Sequence, residues 1–145
     1  METVTLKYKA TYYDHGQMRI EEYWLDGKLH NPNGIACRYW HRNGHIISEV
    51  SYKHGKLHNP NGVALRTWFD NGQIATEQYY LNNKFHNLNG VALKSWNPSG
   101  VMKIESYYIN GVKLTKEEFE NRNNPKPCDN KTVEVDGIKY KLKAI

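Results

Sequence analysis

The chain has 145 residues, enough for one ordinary domain or a short repeat array and too few for two domains. Lys and Arg total 20 against 15 Asp and Glu, a net charge of +5, and the low mean hydropathy excludes a membrane-spanning helix. Eleven Tyr, four Trp and eleven Gly favour pleated, turn-rich structure over a helix bundle, so a mainly β protein is predicted.

Residues 1–13 lack the apolar core of a secretory signal, and the two cysteines, Cys37 and Cys128, stand far apart with no CxxC partner. A cytoplasmic location with both thiols free is expected. From about Leu6 to Leu114 the sequence then repeats itself at a shift of 28 residues without insertion. His30, His58 and His86 align, as do Gly34, Gly62 and Gly90, Ala36, Ala64 and Ala92, and Trp40, Trp68 and Trp96. So do Gly16, Gly44, Gly72 and Gly100, then Glu21, Glu49, Glu77 and Glu105, then Trp24, Tyr52, Tyr80 and Tyr108.

Within one unit, Val63 to Phe69 is strand-like, Asp70-Asn71-Gly72 signals a hairpin turn, and Gln73 to Leu81 is strand-like again. A second turn at Asn82-Asn83, matching Asp26-Gly27 and His54-Gly55, leads through Lys84-Phe85-His86 into a return loop, Asn87-Leu88-Asn89-Gly90. Connections this short make successive strands antiparallel neighbours, so an elongated, twisted array of β-hairpins is predicted. Alternation puts Val63, Leu65, Thr67, Ile74, Thr76 and Tyr80 on one face, and Ala64, Arg66, Trp68, Ala75, Glu77 and Tyr79 on the other. A two-residue turn at Asn71-Gly72 sets Arg66 opposite Glu77 and Trp68 opposite Ala75, with Arg38–Glu49 and Lys94–Glu105 as equivalent ion pairs.

The recurring run Trp24-Leu25-Asp26-Gly27-Lys28-Leu29-His30, followed by Asn, Gly, an aliphatic residue and Ala, resembles the MORN family and the related YwqK-type proteins, many of them described as antitoxins. The resemblance covers about three quarters of the chain. A closer look-alike is the variant common in bacteriophage and large-virus genomes, where Arg follows the His and the Gly-Ala step reads Gly-Pro-Ala. Here Asn31, Asn59 and Asn87 follow the His, and Ile35, Val63 and Val91 stand in place of the proline. The resemblance implies a hairpin array used for protein or lipid association, without a shared catalytic site.

The pattern changes after Gly111. Thr115 is placed as an N-cap with Glu118 at the capping-box position, so a short helix over Thr115 to Arg122 is predicted to cap the exposed last strand. Asn123 to Pro127 reads as a loop, and Asp136-Gly137 lies between two strand-like runs as a terminal hairpin. The expected division is residues 1–114 as the array and 115–145 as the capping helix plus hairpin. That tail either extends the sheet or pairs with a sister chain, which makes a homodimer an open alternative.

Candidate chemistry is sparse. Equivalent His30, His58 and His86 lie two strand spacings apart, roughly 10 Å, against about 2.1 Å from each imidazole nitrogen to a shared metal ion. They are expected to hold the loops before Gly34, Gly62 and Gly90, and no metal or cofactor is expected. Cys37 sits where its counterparts are Leu65 and Leu93, so it reads as core, and four equally spaced glutamates suit ion pairing better than catalysis. No enzyme is expected.

Trp40, Trp68 and Trp96 beside Arg38, Arg66 and Lys94, with Tyr79 and Tyr107 extending the same face, form the one binding constellation. The leading expectation is a protein-binding module that inhibits a host defence or toxin protein by occlusion, as an accessory protein of a phage or mobile element. The alternative is a single-stranded nucleic-acid binder using the same ladder. Basic and acidic residues number twelve and nine over 1–112 and eight and six over 113–145, so there is no basic tail to favour it. No amphipathic basic helix or lipidation motif points to a membrane.

Overall fold

The computed structural model describes residues 5–122 and 132–141. The chain divides into two units, Met1–Thr115 and Lys116–Ile145. In the first, β1 (Lys7–Tyr12) and β2 (Met18–Leu25) form a long hairpin, followed by the short β3 (Lys28–Leu29). The theme returns as β4 (Cys37–Trp40), β5 (Ile46–Val50), β6 (Tyr52–Lys53) and β7 (Lys56–Leu57). It returns again as β8 (Leu65–Trp68), β9 (Ile74–Gln78), β10 (Tyr80–Leu81) and β11 (Lys84–Phe85). The last repeat is β12 (Leu93–Trp96), β13 (Met102–Ile109) and β14 (Val112–Leu114). The long strands make one antiparallel sheet in the order β1-β2-β4-β5-β8-β9-β12-β13-β14, with β3 paired off β2, while β6–β7 and β10–β11 are separate two-stranded ribbons. The hairpin array anticipated from the 28-residue period is therefore present.

Two turn types build each unit. At the tip of a long hairpin the Gly72 N–H donates to the Phe69 carbonyl at 2.9 Å, and the Phe69 N–H to the Gln73 carbonyl at 2.8 Å. Gly72 has φ +80°, so this is a type I turn closed by a left-handed glycine, with three loop residues instead of the expected two. Trp68 consequently faces Ile74, not Ala75, and Ala75 is left as an unpaired bulge before Thr67↔Thr76 and Arg66↔Glu77 resume. The longer loop and the bulge offset each other, which is why the expected ion-pair register survives. Ile74 is thereby moved to the face of Trp68 and Arg66, against the expected alternation. The same register shift recurs beside Tyr12, Trp40 and Trp96.

The second turn, at Asp26-Gly27, His54-Gly55, Asn82-Asn83 and Asn110-Gly111, has positive φ at both residues, the type I′ geometry that suits a tight hairpin. These small hairpins lean on one another: the Gly55, Asn83 and Gly111 N–H groups donate to the Leu29, Leu57 and Phe85 carbonyls at 2.8, 2.9 and 2.9 Å. The rings of Tyr80, Phe85 and Tyr108 stack along the same direction at 4.3 and 5.0 Å. Each return loop is held by its own asparagine. The Asn31, Asn59 and Asn87 side-chain amides donate to the Ile35, Val63 and Val91 carbonyls, and their oxygens accept the Asn33, Asn61 and Asn89 N–H groups. Among the described residues of Met1–Thr115, the buried apolar side chains are Ala36, Cys37, Val50, Ala64, Val91 and Ala92.

The repeated histidines bond backbone, as expected, but in a different place. His30 Nδ1 accepts the His54 N–H and His86 Nδ1 the Asn110 N–H, both at 3.1 Å, so each histidine secures the type I′ turn of the next unit and not its own loop. His58 Nδ1 lies 3.0 Å from Asn82 Oδ1. Burial, with lesser contributions from His54 and Lys53, pushes the His30 pKa down. The unfolded chain thus binds the extra proton more readily than the folded one, so the His30 contribution is complete above the ordinary histidine value of about 6.5 and is lost as the pH falls below it. We expect the thermal midpoint to fall between pH 7.5 and pH 5.5, and His30→Asn, which keeps an acceptor but does not titrate, to flatten that slope; an unchanged slope would refute the assignment.

In the second unit, α1 (Lys116–Asn121) is a residue shorter at each end than expected; its Phe119 is buried, with the Arg122 guanidinium 3.6 Å from the ring centroid. Strands β15 (Thr132–Val135) and β16 (Ile138–Lys141) pair around a type I′ turn at Asp136-Gly137, the expected terminal hairpin. Cys128 and the expected loop at Asn123 to Pro127 lie outside the described residues.

Candidate functional site

Because the register holds from hairpin to hairpin, one residue per strand lines up in a row across the sheet. On one face that row reads Glu21, Arg38, Glu49, Arg66, Glu77, Lys94, Glu105, each facing the next. Sequence reasoning found the facing positions inside hairpins and missed those between them; of the three expected ion pairs, Arg38–Glu49 and Arg66–Glu77 form, and Lys94 and Glu105 face each other without one. Arg38 bridges two carboxylates, donating from Nε to Glu49 at 2.8 Å and from an Nη to Glu21 at 3.1 Å. Arg66 clasps Glu77 at 2.6 Å. The carboxylates are the more buried partners, with 14–20% of their side chains exposed against 34–35% for the guanidiniums. The Glu49 and Glu21 hydrogen bonds outweigh burial and hold the Arg38 guanidinium further above its already high pKa.

Two residues toward the hairpin tips runs a second row on the same face. It is made of four cross-strand pairs, Tyr12–Met18, Trp40–Ile46, Trp68–Ile74 and Trp96–Met102. The three tryptophans are half-buried, Tyr12 is 57% and Met102 44% exposed, and the Arg66 guanidinium lies 5.9 Å from the Trp68 ring centroid. The structure thus brings Trp40, Trp68, Trp96, Arg38, Arg66 and Lys94 onto one surface. Tyr107 continues it two residues beyond Glu105 along β13, and Tyr79 stands at the equivalent point beyond Glu77, its N–H bonded to the Ala92 carbonyl. Tyr12 was missed, although it lies one period before Trp40; Met18, Ile46, Ile74 and Met102 were missed because the bulge changes their face.

The opposite face has its own row, Ile20, Tyr39, Ser48, Thr67, Thr76, Ser95 and Ile104, with the Thr67 and Thr76 hydroxyls 2.8 Å apart. Cys37 belongs to this side, 1% exposed, and burial pushes its thiol pKa up, the opposite of what a nucleophile needs. Among the described residues no three His, Cys, Asp or Glu side chains gather as a metal site would require, and no helix is long and apolar enough to cross a membrane. The chemistry this arrangement offers is contact: an aromatic and aliphatic strip beside a row of alternating charges in which Arg38 and Arg66 are ion-paired.

Two adjacent units match the MORN repeat variant. The matched residues are 35–54 and 64–82, each covering a long hairpin and the start of the small one. No curated protein and no solved structure matches the chain. MORN repeats form modules that often serve binding, to proteins or membrane lipids, and are generally non-catalytic. The two matched stretches contain Arg38, Trp40 and Glu49, and Arg66, Trp68 and Glu77, so the likeness falls on the hairpins that carry the charged and aromatic rows.

Proposed function

We propose that the chain is a non-enzymatic protein-binding module that docks through the face bearing Trp40, Trp68, Trp96, Arg38, Arg66, Lys94, Tyr79 and Tyr107. What supports this is the recurrence of an aromatic and aliphatic pair at every hairpin from Tyr12–Met18 to Trp96–Met102, since half-buried tryptophans supply contact area at little entropic cost. Its target is a host defence or toxin protein, occluded in the cytoplasm by an accessory protein of a phage or mobile element; the resemblance to viral repeats supports that choice.

Single-stranded nucleic acid is the second reading, favoured by the guanidinium over the Trp68 ring. It ranks lower because Arg38, Arg66 and Lys94 each face a carboxylate on both sides in the sheet. Affinity capture from the native host, repeated with Trp68→Ala and with all three tryptophans changed to Ala, tests the reading. Each Trp is expected to contribute about 2 kcal/mol, roughly thirtyfold in Kd, to capture of the same protein. Unchanged capture by a folded triple variant would exclude this face, and binding to single strands that weakens steeply with salt would favour the nucleic-acid reading.

A further inference from the structure

Two clefts open between successive return loops. One, of about 450 Å³, is lined by His30, Asn31, Ser51, Lys53, His58 and Asn59 among others. The next, of about 490 Å³, is lined by Asn59, Asn61, Tyr79, His86, Asn87 and Lys94 among others. Neither has a carboxylate in its lining, and each has one ammonium group, drawn from different positions of the repeat.

The donors are defined by the hydrogen bonds already described. His30 Nδ1 accepts a backbone N–H, so the neutral ring carries its proton on Nε2 and remains a donor there; His86 is fixed in the same way. Ser51 is 3% exposed, lines the first cleft, and its hydroxyl has no hydrogen-bond partner. A buried hydroxyl left unpaired is costly, and an acceptor seated in the cleft would relieve it. The Asn31, Asn59 and Asn87 amides are committed to their own loops, which keeps the walls in place before any ligand arrives.

We propose that these clefts receive the carboxylates of an acidic segment of a protein partner. One ammonium with neutral donors suits a monoanion; no arginine lines either cleft, and the guanidinium fork that grips a phosphate is missing from both linings. Successive units advance by two strand spacings, roughly 10 Å, which three residues of a polyproline II chain nearly span at about 3.1 Å each while returning the side chain to the same side. The matching segment therefore carries Asp or Glu at every third position. This inference rests on the reading of the chain as a protein-binding module and adds the chemistry of what it binds.

The test titrates the isotope-labelled full chain with a synthetic polyproline II peptide bearing Glu at every third position and Pro between, followed by NMR. Saturable shifts are expected at the amides of Asn31, Ser51, Lys53 and Asn59. Lys53→Gln and Ser51→Ala are each expected to weaken the peptide about tenfold, while Lys7→Gln leaves it unchanged. Ser51→Ala should not lower the thermal midpoint, which separates a ligand contact from a structural one. Absence of loop shifts, equal weakening by Lys7→Gln, unchanged affinity in Ser51→Ala, or displacement by an equal concentration of inorganic phosphate would each overturn the proposal. None of these outcomes depends on the tryptophan substitutions, so failure here leaves the docking face to be judged by its own experiment.

Discussion

Arg38→Ala should lower the unfolding free energy by about 2 kcal/mol in urea denaturation. The guanidinium bonds both Glu21 and Glu49, whose side chains are only 14% and 20% exposed, so its removal leaves two carboxylates without this cation and in poor contact with water. Stripping one partner from a fully buried ion pair costs about 3–5 kcal/mol and an exposed pair contributes about 0–1; a third of the Arg38 side chain reaches solvent, which places it between these limits. Lys9, 66% exposed and 3.9 Å from Glu22, is the control, with Lys9→Ala expected within about 0.5 kcal/mol of the parent. Changing Glu21 and Glu49 to Gln in the Arg38→Ala background should restore part of the loss, because the uncompensated charges are then gone. An Arg38→Ala chain as stable as Lys9→Ala would mean that the row across the sheet contributes nothing to folding.

Ala64→Leu should cost about 2–3 kcal/mol. Ala64 is 1% exposed, its carbonyl accepts the Ser51 N–H at 2.7 Å, and the loop closed by Asn59 onto the Val63 carbonyl lies against it. The three units entered through a return loop have Ala at this place, Ala36, Ala64 and Ala92, and three extra carbons have nowhere to go without opening the loop. Ala75 gives the contrast. It is the bulged residue of the same hairpin, and its equivalent one period earlier is Ile47, 39% exposed, so Ala75→Ile is expected to be nearly neutral. Denaturation midpoints of the two variants, measured side by side, check both statements; a benign Ala64→Leu would show that the loop does not close tightly.

Much of the fold was legible because one period governs everything. The glycines and asparagines that recur every 28 residues mark both turns, and two turns per unit leave hardly any topology but a meander. The cross-strand partners Arg66 and Glu77 were legible for a less direct reason: the two-residue turn assumed from Asn71-Gly72 omits one loop residue and one bulge, and the omissions cancel along the strand. They do not cancel at the tip, so Trp68 and Ile74 were misplaced relative to each other. Asn-Gly fits either loop length, and nothing local to Phe69 or Gln73 reports which is used. The alignment of neighbouring hairpins was hidden in a different way. It depends on the small hairpins and return loops delivering the chain back without slippage, through contacts such as His30 to the His54 amide that span 24 residues. The same distance concealed the histidines' true partners, whereas the asparagine that follows each of them acts within four residues and could have been read as a loop clamp.

The alternation of sign across the sheet also bears on how such a molecule can change size. Each complete hairpin contributes one cation and one carboxylate in the same order, so splicing in or excising one whole period joins unlike charges at the new seam and brings an aromatic rung into line with its neighbours. A cut that is not a whole number of periods breaks this order. Copy number is therefore a dimension along which this scaffold can be lengthened or shortened, by genetic accident or by an engineer, and the reach of its contact strip would scale with it in steps of roughly 10 Å.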